Sequence, residues 1–141
     1  MSPYLFLFCV EGLSAITRKF THEGRLQGIK VCGRAPMVTN LFFADDSIHF
    51  FECKREEGEA LRDILHIYAL ESGQQVSLQK CELSFSDNVE EDRRKEMGEI
   101  LEMQIVDHHD KYLGLPTVIG RSKKAVFSQL VDRVRKKVKM W

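Results

Sequence analysis

Val38-Thr39-Asn40-Leu41-Phe42-Phe43-Ala44-Asp45-Asp46-Ser47-Ile48-His49-Phe50-Phe51 is the stretch on which the fold turns. Two apolar runs, rich in β-branched and aromatic side chains, flank a pair of adjacent acids. Such side chains suit extended backbone, and aspartate tolerates a turn, so the segment reads as a β-hairpin with Asp45 and Asp46 at its tip. Phe43 and Ile48 are then expected to be buried against helices. Two neighbouring carboxylates concentrate negative charge, which favours a hard divalent cation. In a two-ion site such acids hold metals ~3.5–4 Å apart, one ion activating the attacking oxygen and one stabilising the leaving oxygen. A plain surface turn is the alternative, because Asp-Asp is a common dipeptide.

On the N-terminal side, Ser2 can cap a helix that Pro3 opens without losing a needed donor. Leu5, Phe8, Cys9, Leu13, Ile16 and Phe20 recur at helical spacing until Gly24. A strand over Gly28 to Val31 and a loop around Gly33 to Pro36 lead into the hairpin. On its C-terminal side, Leu61, Ile64, Leu65 and Tyr68 stripe a helix from Lys54 to Ser72, and Gly73 is placed to stop it. Val76, Leu78, Leu83 and Phe85 alternate like short strand pieces. Asp87 and Glu90 have capping-box spacing for a helix reaching Met103. Lys111 to Pro116 reads as a short strand ending at a turn. Val126, Leu130, Val134 and Val138 stripe a last helix. This order predicts an α+β fold, one antiparallel sheet covered by helices on one face.

The 141 residues suffice for one domain with a core, and 43% hydrophobic with 30% charged residues is globular usage. Formal net charge is zero, but the charge is segregated. From Asp87 to Asp110, nine acids face Arg93, Arg94 and Lys95, a balance of −6. From Gly120 to Trp141, eight bases face Asp132, a balance of +7. A basic helix of this kind suits phosphates, although a solvated helix face has the same composition. Cys9, Cys32, Cys53 and Cys81 are too far apart for a zinc site and read as small buried residues of a reduced, intracellular protein. Tyr4 to Val10 lacks the basic flank of a signal peptide and is far too short to span a membrane. His108-His109 has no ligand spacing around it, and His22, His49 and His66 have no catalytic companions. Lys80, after a glycine-containing turn, could protonate a departing pyrophosphate if a phosphate site lay beside it; taken singly, a lysine at a strand edge reads first as a solvated residue.

The joint spacing of four motifs resembles the reverse transcriptase of LINE-type non-LTR retrotransposons. Met1-Ser2-Pro3-Tyr4-Leu5-Phe6 is similar to the second half of that family's B motif. Phe43-Ala44-Asp45-Asp46 resembles its C motif, the metal-binding hairpin. Ser72-Gly73-Gln74 through Lys80, with Cys81 to Ser86, looks like the D motif, and Tyr112-Leu113-Gly114-Leu115-Pro116 like the E motif, the primer grip. Gly120-Arg121-Ser122-Lys123-Lys124 and the following helix are similar to the entrance of the thumb.

The resemblance implies a polymerase palm over residues 1–116 and the start of a thumb over 117–141. It implies that Asp45 and Asp46 hold Mg2+ (or Mn2+), that Lys80 is the general acid, and that Tyr112, Leu113 and Gly114 meet the primer. Arg121, Lys123, Lys124, Arg135, Lys136, Lys137 and Lys139 would track the backbone of an RNA template paired with a DNA primer, without reading sequence. The family takes a further metal-binding aspartate from a strand ahead of the B helix, yet Asp45 is the first aspartate of this chain. The Gln-Gly half of the B motif is absent as well. The expectation is therefore an RNA-directed DNA polymerase segment inactive alone, with a non-catalytic nucleic-acid-binding or protein-interaction module as the alternative. An unpaired strand edge beside the hairpin would favour self-association.

Overall fold

The computed structural model of the chain describes residues 3–30, 32–43, 46–106, 111–112, 115–116 and 135. They form an α+β fold. Two compact units share the chain, one of residues 1–83 and 87–105, the other of residues 84–86 and 106–141.

In the first unit, helix α1 (Pro3–His22) starts on the proline, which has no donor to lose there. Lys19 and His22 in its last turn suit the negative end of the helix dipole. Helix α2 (Arg55–Ser72) carries Glu56 and Glu57 in its first turn, and it ends as expected on Gly73, whose left-handed φ of 66° lets its N–H reach the Ala69 carbonyl at 3.1 Å. Leu13 and Phe20 of α1 meet Ala60, Ile64 and Tyr68 of α2, with Leu26 closing the cluster. Helix α3 (Glu91–Leu101) packs on α2 where Gly58 leaves the room that the Met97 sulfur fills. Of the expected stripe of α2, Leu61, Ile64 and Tyr68 are buried and Leu65 half-buried, but Phe8 of α1 is 76% exposed, on the side of the helix turned away from that core.

The strands form separate two-stranded ribbons rather than one antiparallel sheet. Strand β1 (Ile29–Lys30) pairs antiparallel with β2 (Met37–Val38), and β3 (Asn40–Phe43) with β4 (Asp46–His49). Strand β5 (Glu82–Leu83) pairs with β6 (Gln104–Ile105) in parallel. The strand expected around Val76 and Leu78 is instead a 3₁₀ turn over Leu78–Lys80. The N–H groups of Leu78, Lys80 and Cys81 bond the nearby carbonyls of Val76, Ser77 and Leu78, so none is left for a partner strand. No capping box precedes α3 either. Glu90 is the N-cap without a side-chain bond, and the Arg94 guanidinium holds the preceding turn through the Val89 carbonyl at 2.9 Å. The helix stops at Leu101, short of Met103, because Glu102 takes a left-handed φ of 55°. The cysteines are less buried than their type suggests: Cys32 is exposed, the others half-buried.

Gly28, with φ +72°, shows why β1 can enter its ribbon. A Cβ there would lie 2.5 Å from the Val38 carbonyl oxygen and 2.8 Å from the Thr39 methyl. Both the backbone angle and the space exclude a side chain. Gly28→Ala is expected to destabilise the unit by about 2–4 kcal/mol in urea unfolding, strain and clash together; an unchanged midpoint would contradict this packing.

In the second unit, β7 (Lys111–Tyr112) and β8 (Leu115–Pro116) pair antiparallel. The single strand expected from Lys111 to Pro116 is thus two short strands, Lys111 lying opposite Pro116 and Tyr112 opposite Leu115. Arg135 is helical and exposed, while the expected stripe of Val126, Leu130, Val134 and Val138 and the boundary after Pro116 lie outside the described residues.

Candidate functional site

The β3–β4 hairpin forms where the apolar flanks required it. Asn40 lies opposite His49, Leu41 opposite Ile48, Phe42 opposite Ser47 and Phe43 opposite Asp46. Two residues, 44 and 45, separate Phe43 from Asp46, the shortest common hairpin connection. Asp46 is the exposed first residue of β4, not part of the connection itself. Asp45 lies outside the described residues.

Side chains alternate across a ribbon, so only one face can meet the helices. Phe42 is on that face and packs against the α1–α2 core. Phe43 and Ile48, expected to be buried, point the other way and are 56% and 37% exposed. With Leu41 they make an outward apolar face, which no second layer covers among the described residues.

Lys80 ends the 3₁₀ turn with its side chain exposed. Tyr112 belongs to β7 of the other unit, as Arg135 belongs to its helical position. Leu113, Gly114, Arg121, Lys123, Lys124, Lys136, Lys137 and Lys139 lie outside the described residues. Asp46 and Lys80 therefore share the first unit. Among the described residues no group of three His, Cys, Asp or Glu side chains could hold a metal ion.

Two residues of this region carry more than their sequence positions suggest: His49, expected only to lack catalytic companions, and Glu57, which no pattern singles out. His49 faces inward beside Phe42, their rings edge-on with centroids 6.2 Å apart. Neither of its buried ring nitrogens has a hydrogen-bond partner, and burial pulls its pKa from 6.5 down to about 4. The alternation of β4 carried a signal, since His49 takes the face opposite to Ile48. Glu57, 4% exposed, accepts the backbone N–H of Glu52 at 3.0 Å and of Gln27 at 3.4 Å. It ties the exit of the hairpin to the segment after α1. Nothing in the sequence marks it apart from the other first-turn acids.

A depression of about 520 Å³ lies beside Glu57, lined by Gly24, Arg25, Gln27, Lys54, Arg62 and Asp63 among others, and by no residue of the hairpin. Its charges neutralise each other locally, Arg25 pairing with Asp63 at 2.7 Å. It offers neither a consistent field nor a reactive group near Asp46.

No protein-family model matches the chain, and no solved structure matches it. Over 47 residues it is 47% identical to uncharacterized mitochondrial protein AtMg01250 of Arabidopsis thaliana. That match covers 33% of the chain and 38% of the relative's length. Among the described residues no helix is long and apolar enough to cross a membrane.

Proposed function

We propose that this chain is a palm segment of an RNA-directed DNA polymerase of the LINE-type, non-LTR class, and that its 141 residues do not polymerise DNA by themselves. The observation that carries the reading is the pairing of Phe43 with Asp46 across a two-residue connection. That pairing supports reading Phe43-Ala44-Asp45-Asp46 as the family's hairpin motif, in a chain whose other motifs follow in the family's order. Residues 1–116 are the palm part and 117–141 the start of the thumb in this proposal.

The metal side of the proposal is incomplete. A two-ion site needs carboxylates that reach both ions, and Asp46 is the acid that the described part of the hairpin offers. No aspartate precedes Asp45 in the chain. The residues present do not make a full donor set for two Mg2+ ions, and no reaction step is assigned to them.

Incubated with an RNA template, an annealed DNA primer, labelled nucleotides and Mg2+ or Mn2+, the chain alone is expected to extend nothing. Incorporation above that of Asp45→Ala would overturn this. Grafted into an active LINE-type polymerase in place of the corresponding segment, the chain is expected to support extension, and Asp45→Ala is expected to abolish it. A folded but inactive graft would remove the polymerase reading.

The outward apolar face of Leu41, Phe43 and Ile48 favours a second reading, a protein-interaction module without catalysis. The graft separates the two, since a module of that kind restores no synthesis.

A further inference from the structure

His49 is a titratable group that the proposed polymerase chemistry does not use. It sits on the inner face of the hairpin, opposite Asn40 and edge-on to Phe42. A neutral imidazole carries one donor and one acceptor, and in His49 both are buried without a partner. A histidine kept for packing alone would be better replaced by phenylalanine, because the two unmade hydrogen bonds cost stability.

Among the described residues of the two strands and the core beneath them, an imidazolium finds no carboxylate partner. Strand β3 contributes only Asn, Leu and Phe side chains, and on β4 the acid is Asp46, exposed at the far end. On α1, Glu11 and Arg18 pair with each other at 2.6 Å on the exposed side. The core that Phe42 joins contains Cys9 and Tyr68 as its titratable groups, and no carboxylate. Burial is the sole cause acting on the ring. Among the described residues only the inner face of the hairpin packs on the helices, Leu41 and Phe43 of the outer face being more than half exposed.

We propose that His49 is an acid-sensitive latch: its neutral ring lets the β3–β4 hairpin seat on the helices, and protonation unseats it. The sign follows from the depressed pKa in the seated state. Above pH 6.5 the ring is neutral whether seated or released, and seating is at full strength. Between 6.5 and about 4 the released ring binds a proton that the seated ring refuses, so seating weakens as pH falls. The opening constant of the hairpin is expected to rise about a hundredfold between pH 7 and pH 4. The helices need not melt with it, because a ribbon anchored on one face is a natural local opening unit.

Two measurements on the full chain test this. In NMR, the His49 ring is expected to stay neutral until about pH 4. Amide exchange, corrected for its intrinsic pH dependence, is expected to show residues 40–49 losing protection on acidification while α2 keeps its own. His49→Phe is expected to hold the hairpin seated across the same range and to be at least as stable at neutral pH. A His49 ring titrating near 6.5 in the folded chain would overturn the proposal. So would equal acid opening in the parent and His49→Phe chains. If the variant fails to fold, the ring titration of the unaltered chain still decides.

Discussion

Raising salt from about 50 to 200 mM is expected to weaken binding of the chain to a primer–template duplex by roughly a thousandfold or more. The seven cations Arg121, Lys123, Lys124, Arg135, Lys136, Lys137 and Lys139 are the proposed phosphate contacts. Each neutralised phosphate releases counterions and adds ~0.9 to the slope of log affinity against log salt, so seven give a slope of about −6. The contacts would be to backbone and not to base edges, so duplexes of unrelated sequence should bind alike. Replacing Lys136, Lys137 and Lys139 by Gln is expected to flatten the slope by about 3. Fluorescence anisotropy over a salt series reads both quantities. An unchanged slope in the triple variant would make the basic end a solvated face, and the nucleic-acid partner would lose its main support.

Glu57→Ala is expected to cost about 2–5 kcal/mol of folding stability, because it strips the acceptor from two backbone N–H groups in a nearly closed site. Those N–H groups belong to Gln27 and Glu52, at 3.4 and 3.0 Å from the same carboxylate oxygen. The loss is a large share of the roughly 5–15 kcal/mol that holds a typical domain together. Glu57→Gln keeps an oxygen acceptor in place and should lose much less. Urea unfolding with the slope checked for constancy measures both variants. Because Glu52 lies three residues after His49, Glu57→Ala should also loosen the hairpin in amide exchange. A variant as stable as the parent would mean that these two N–H groups find other acceptors, and Glu57 would not be what anchors the hairpin's exit.

The helices were legible in the sequence for a local reason. Leu61, Ile64, Leu65 and Tyr68 repeat at the period of the backbone itself, and Gly73 can take the left-handed angle that ends α2. The hairpin was legible for the same reason, since β-branched and aromatic flanks around two turn-tolerant acids restrict the chain locally. The motif residues Asp45, Asp46, Lys80 and Tyr112 could be named from spacing alone, but spacing along a chain does not place side chains together in space. Lys80 and Asp46 come out as exposed residues of one unit, while Tyr112 belongs to the other.

Burial was where local pattern misled. Alternation says that Phe42 and Phe43 lie on opposite faces, and it cannot say which face meets α1. Packing chose Phe42, left Phe43 and Ile48 outside, and carried His49 in with Phe42. Val76 and Leu78 alternate like a strand, but a strand exists only when another offers its hydrogen bonds, and their neighbours' donors turn back on the local chain. Glu57 shares the first turn of α2 with Glu56, and only the approach of Gln27 and Glu52 makes its carboxylate an internal anchor. Sequence by itself determined the period and punctuation of each segment, because those follow from backbone geometry within a few residues. The tertiary structure decided which faces are covered and which polar groups are trapped, because burial depends on neighbours distant along the chain.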